Sequence, residues 1–198
     1  MDAERFFVLL SLAFATVWTP GPNNIMLASS AATFGFVRTM PHALGVALGF
    51  PVMMFFVAFG LGEIFERNAW FRDALLWLGS ALLLYIGWRI ATSTATGESA
   101  ARARPFTFLE AAGFQWINPK AWAMAISTTS LFVTGAAPLL EAAICAGAFT
   151  LAGLTSSHGW AGFGSSIRRF LSSDDRLRVF NIVMGLLVAG CVIFLFLD

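Results

Sequence analysis

The chain has 198 residues, of which 58% are hydrophobic and only 12% are charged, against roughly 25% charged in a soluble domain. So few charges cannot cover a water-exposed surface, and lipid is the solvent that this composition fits, with 21 Phe and 7 Trp adding apolar area. A net charge of +1, with basic residues scattered singly or in pairs, excludes a nucleic-acid surface, and Cys145 and Cys191 in apolar runs form no disulfide framework.

In chain order, Asp2 and Glu4 outnumber Arg5 at the start, which lacks the basic character of a secretory signal, so a retained first span is expected. A membrane helix takes about 20 mostly apolar residues. Windows of that kind run from Phe6 to Ser30, interrupted at Thr19-Pro20-Gly21-Pro22-Asn23-Asn24, and from Ala43 to Gly62, with Pro51 in the middle. A third runs from Ala74 to Ala91 and a fourth from Phe108 to Val133, interrupted at Asn118-Pro119-Lys120. The last two run from Leu139 to Phe163 and from Val179 to Leu197. Thr92 to Pro105 is the longest polar stretch and the natural midpoint linker, whereas the short Thr134 to Pro138 link forces an antiparallel neighbour.

The windows are continuously apolar, not alternating with period two as barrel strands do. The expected architecture is therefore all-α: six transmembrane helices in one domain over residues 1–198. Repeat one covers about 1–91, a linker 92–106, and repeat two about 107–198. The loops after spans one, three and five hold Arg38, Arg89, Arg102, Arg104, Arg168, Arg169, Arg176 and Arg178, while the other side holds Arg5, Arg67 and Arg72. The Arg-rich side belongs in the cytoplasm, which puts both termini outside.

Pro20 and Pro119 lie half a chain apart, each in the first span of its half. Three spans per half make the second half enter the membrane inverted, so the chain reads as two inverted three-helix repeats with broken first and fourth helices. A proline inside a helix removes one hydrogen bond and clashes with the preceding turn, and unpaired backbone groups are costly in hydrocarbon. Such breaks persist where protein, water or substrate satisfies them. Thr19, Asn23, Asn24, Gln115 and Asn118 flank them and both donate and accept. A packing kink is the alternative at any one of them, and Pro51 fits that description; two Asn-flanked breaks at matching positions favour a transport pathway.

At these residues the chain resembles the LysE/RhtB family of amino-acid exporters. The resemblance rests on Thr19-Pro20-Gly21-Pro22-Asn23, on Phe114-Gln115-x-x-Asn118-Pro119-Lys120-Ala121, and on Asn181-x-x-x-Gly185, and it covers essentially the whole chain. Within the family, Pro20 to Asn24 followed by Ile25, Ser29-Ser30 and Gly35-Phe36 is most similar to exporters of cysteine and O-acetylserine. The resemblance implies efflux of amino acids or derivatives, protons as coupling ion, a bacterial inner membrane and no cofactor. The fifth span departs from many members in Thr155-Ser156-Ser157-His158-Gly159-Trp160, which bears on substrate choice.

Lys120 is the only lysine and falls inside the fourth window, where a charge costs about 2.5–3.5 kcal/mol at mid-bilayer. It either faces a cavity and a substrate carboxylate, or snorkels to an interface or caps carbonyls at the break. His158 is a proton carrier or a hydrogen-bonded residue near the membrane edge, and Glu110 enters the fourth span from the cytoplasmic side. Trp122 neighbours the break and is a candidate for side-chain selection. Gly45-x-x-x-Gly49 permits close helix contact within one chain or between two, so a homodimer is compatible with it. His42 and His158 lie far apart and no hydrolase motif is present, which disfavours an intramembrane enzyme and a metal site. A non-transporting accessory subunit is the remaining alternative, and it gives no reason for two matched breaks.

Overall fold

The computed structural model describes residues 1–93, 104–171 and 173–196, and within them the chain is helical without strands. The linker positions 94–103, with Arg102, and Asp198 at the end of repeat two lie outside the described residues. The elements are α1 (Ala3–Trp18), α2 (Pro22–Phe34), α3 (Phe36–Phe56), α4 (Gly62–Arg67), α5 (Ala69–Ala91), α6 (Phe108–Phe114), α7 (Pro119–Phe132), α8 (Pro138–Ile167) and α9 (Asp174–Phe194).

Local signals set several boundaries. The Asp2 carboxylate accepts from the Arg5 N–H at 2.8 Å and starts α1. Thr107 and Glu110 form a reciprocal capping box at the start of α6, and Ser173 caps α9. The α7–α8 link closes on Glu141, whose carboxylate takes the N–H groups of Thr134 and Gly135 at 2.9 and 3.0 Å.

Among the described residues, four helical stretches are long and apolar enough to cross a membrane: Phe36–Arg67, Ala69–Ala91, Pro138–Ile167 and Asp174–Ile193. A fifth forms if α1 and α2, bent by 54°, cross together. The window expected over Phe108 to Val133 is divided into helices of 7 and 14 residues, neither of which crosses alone. The second span begins at Phe36, earlier than the expected Ala43, and runs through both Pro41 and Pro51. Its interruption falls instead at Gly60, where φ is 137°, a conformation open to glycine, inside a π-helical turn over Val57–Leu61. In an apolar medium a helix that tolerates a proline still satisfies more backbone groups than one that stops there.

The centre is α8, which packs against α1, α2 and α3, while α5 pairs with α9. Its buried face carries Ala142, Cys145, Ala148, Ala152, Ser156, Ala161 and Gly164, small residues at helical spacing that let neighbouring backbones come close. A Cβ on Gly164 would run into the Ala28 backbone, and one on Gly159 into the Trp18 indole. Gly45 and Gly49 serve the same purpose on α3: a Cβ on Gly49 would lie 2.7 Å from the Ala112 Cβ of α6. That small-residue pair is therefore filled within one chain.

Gly49→Val is expected to push α6 off α3 and to lower stability by about 1–3 kcal/mol. Gly162→Ala, where an added Cβ meets nothing within 4 Å, is the control. Apparent melting temperatures in detergent check this; equal values for the two variants would contradict the packing described.

Candidate functional site

The first break is short. α1 ends at Trp18, Gly21 adopts an extended backbone, and Pro22 opens α2. Pro22 thus occupies the first helical turn, where a missing N–H costs nothing, so Thr19-Pro20-Gly21 separates the helices. Asn23 and Asn24 belong to the first turn of α2. The second break starts earlier than the sequence suggested. α6 gives way to a 3₁₀ turn over Gln115–Ile117, and Asn118 caps α7, with its side chain accepting from the Lys120 N–H at 3.1 Å. Pro119 again opens the following helix.

Each break exposes carbonyls, and each finds donors. The Asn24 amide donates to Val17 O at 2.8 Å and to Thr19 O at 3.0 Å. Ser156 of α8 donates to the same Val17 O at 2.8 Å, and the Lys120 ammonium to Thr19 O at 3.0 Å. The Trp122 indole N–H takes Trp116 O at 2.8 Å. Lys120 therefore reaches from the second break to the first, capping a carbonyl and lining a cavity at once.

The breaks also meet side chain to side chain. Asn23 Nδ2 donates to Gln115 Oε1 at 2.9 Å, and Gln115 Nε2 returns a bond to Asn23 Oδ1 at 3.3 Å. Gln115 is fully buried and also donates to Ala111 O at 2.9 Å. Around this pair lies a cavity of about 50 Å³, walled by Asn23, Asn24, Gln115, Asn118, Lys120 and Ser157 among others. It exceeds the roughly 10–15 Å³ that one water needs. Gly21 forms part of its wall because a Cβ there would lie 2.8 Å from the Lys120 ammonium.

Of the residues singled out from sequence, Gly21, Pro22, Asn23, Asn24, Gln115, Asn118 and Lys120 line this cavity. Thr19 and Pro20 lie exposed at the break and Pro119 opens α7, and none of the three is in the cavity wall. Trp122 sits elsewhere: it is buried against Phe65, stacked at 4.5 Å, with Phe71 edge-on at 5.8 Å and Trp116 at 6.4 Å. His158 is likewise outside the cavity, its Nδ1 2.7 Å from Leu154 O on its own helix. Glu110 pairs with Arg104 through two contacts of 2.6 Å. Ser156 and Ser157, read only as part of an unusual fifth-span pattern, enter the site because α8 is the central helix. No group of three or more His, Cys, Asp or Glu suited to a metal occurs among the described residues.

Residues 14–198 match the family described as LysE type translocator. A cysteine/O-acetylserine efflux protein of Salmonella typhimurium strain LT2 is 34% identical over 187 residues, covering 91% of this chain and 92% of that protein. The protein of the same name in Escherichia coli strain K12 is 30% identical over the same coverage. No solved structure matches the chain.

Because Val17 O has two donors, Asn24→Ala and Ser156→Ala are each expected to cost about 0.5–1.5 kcal/mol. Together they leave that carbonyl bare and should exceed the sum by about 0.5–3 kcal/mol. Unfolding free energies in mixed micelles check this; strict additivity would show that the carbonyl is not shared.

Proposed function

The chain belongs to the LysE type translocator family, and from that premise we propose that it exports small neutral amino acids or derivatives, cysteine and O-acetylserine first among them, by proton antiport. The family is one of translocators, so the chain is a transporter and not an enzyme. The site of action in this reading is the bacterial cytoplasmic membrane, with six spans and both termini outside.

The observation that carries the reading is the meeting of both helix breaks at one small polar cavity. An unwound helix presents carbonyls to an ammonium and amides to a carboxylate, the two groups that every free amino acid shares. In this structure Lys120 holds Thr19 O as a substrate ammonium would. Substrate binding at the break then exchanges one cation for another and frees Lys120 to meet the carboxylate. Asn23, Gln115, Asn118 and Asn24 orient the backbone of the amino acid, and Ser157 and Met124 face its side chain.

Inverted repeats are supported by how the first and fourth spans cross. Arg5, at the start of α1, donates to Leu131 O at the end of α7, and the two breaks touch midway through Asn23 and Gln115. Spans one and four thus run antiparallel, as a pseudo-twofold axis in the membrane plane requires. On the far side of the break from the α6 start, Trp122 with Phe65, Phe71 and Trp116 forms an aromatic plug. Rocking of the halves opens that plug and separates Asn23 from Gln115. His158 and Glu110 are the proton-carrying residues this reading offers, and neither touches the break cavity.

Labelled cysteine, O-acetylserine, homoserine, threonine, lysine and arginine released from expressing cells give the test. Release of a small neutral member is expected to fall at least tenfold in Asn23→Ala and in Lys120→Ala at equal membrane abundance, and to fall when an uncoupler collapses the proton gradient. The swap Asn23→Gln with Gln115→Asn should restore part of it, since the amide pair is kept. Release untouched by either alanine variant would remove the breaks from the pathway; no release above empty vector would remove the exporter.

A further inference from the structure

A second and larger cavity, of about 540 Å³, opens where the end of α2, the start of α3, the end of α5 and the start of α6 come together. Ser29, Thr33, His42, Arg89, Arg104 and Glu110 supply its polar wall. Its volume is that of a small-molecule site, whereas the break cavity is about 50 Å³. Arg89, in the last turn of α5, and Arg104, ahead of α6, lie toward the Arg-rich side, the side from which an exporter loads.

His42 marks the wall as unfinished. It is 2% exposed, and neither Nδ1 nor Nε2 has a hydrogen-bond partner among the described residues. Phe106 covers one face of the ring at 5.3 Å between centroids. A buried imidazole with both nitrogens unpaired is costly, and natural structures rarely leave one without a reason. The charge balance points the same way. Arg104 is neutralised by Glu110 at 2.6 Å, which leaves the Arg89 guanidinium as the positive group of the chamber among the described residues. A guanidinium, an imidazole and hydroxyls around a partly apolar space match a zwitterion whose carboxylate forks onto Arg89.

We propose that this chamber is a loading site for a free α-amino acid, with Arg89 holding its carboxylate and His42, whose two buried nitrogens come to the chamber surface by rotation of the ring, hydrogen-bonding its polar atoms. It rests on the exporter reading and adds a first binding step ahead of the break. The two cavities are separate. Met26, Phe114 and Ile117 line the chamber, while Asn23, Gln115 and Asn118, their close neighbours in the chain, line the break cavity. The Asn23–Gln115 pair and these apolar side chains form the partition that the amino acid passes.

The test uses the full chain carrying Cys145→Ala and Cys191→Ala, with Ser29→Cys in the chamber or Ser166→Cys on the exposed end of α8. The rate of labelling by a membrane-permeant maleimide is read with and without O-acetylserine, homoserine or threonine. At least one of these is expected to slow labelling at Ser29→Cys tenfold or more and to leave Ser166→Cys unchanged. Arg89→Gln should raise the concentration needed at least tenfold. His42→Leu should do so as well, His42→Gln less, and Asn23→Ala should leave protection intact. A Ser29→Cys thiol that the reagent never reaches, labelling indifferent to all the amino acids, or protection lost with Asn23→Ala and kept with Arg89→Gln would each overturn the loading site. If efflux persists in such a case, only this proposal falls; if efflux is absent too, the exporter reading falls with it.

Discussion

A carbonyl left bare in hydrocarbon costs several kcal/mol, and the arrangement of this protein follows from how two broken helices meet that constraint. The end of α1 exposes Val17 O and Thr19 O, which are taken by Asn24, Ser156 and Lys120. The donors come from α2, α8 and α7, so satisfying one break draws three other helices to it. That is why α8, a helix of small buried residues, runs through the centre. A larger residue at Gly164 or Gly159 would hold α8 away from Ala28 and Trp18, and Ser156 would then fall short of Val17 O.

The same hydrogen bonds that stabilise the breaks make them responsive. Carbonyls capped by side chains from a different segment can be handed to another donor without unfolding a helix, which an intrahelical bond does not permit. Lys120 on Thr19 O is such an exchangeable contact, and Asn23 with Gln115 is another. In the proposed export reading, an amino acid brings an ammonium and a carboxylate of its own and takes the place of these contacts. On that proposal, a feature that looks in sequence like two proline defects is the part of the chain that recognises the amino-acid backbone.

Much of the architecture was legible because the bilayer reduces secondary structure to a short menu. Long apolar windows become helices, and the spans over Ala69–Ala91, Pro138–Ile167 and Asp174–Ile193 lie where hydropathy placed them, shifted by a few residues at their ends. The breaks were legible through Pro20, Asn118 and Pro119. Their finer shape was not: Pro22 and Pro119 open helices instead of interrupting them. The difference between a helix breaker and a helix starter depends on the one residue before it, Gly21 or Asn118, adopting an extended backbone. Pro51, read as a packing kink, lies inside α3, and the interruption of that stretch is at Gly60, whose positive φ no pattern of hydrophobicity announces.

For the site, composition and motif spacing alone determined that the chain is apolar enough for lipid, that both breaks are polar, and that Asn23, Gln115, Asn118 and Lys120 belong to them. These are properties of residue type and order, and local physical chemistry carries them. Only the tertiary structure decided that Asn23 pairs with Gln115 across 92 residues, that Ser156 finishes the first break, that Trp122 packs in an aromatic cluster, and that His42 has no hydrogen-bond partner among the described residues. Each of these depends on which helices become neighbours. That is set by the close approach of small residues on α3 and α8, a long-range packing outcome that no single segment encodes.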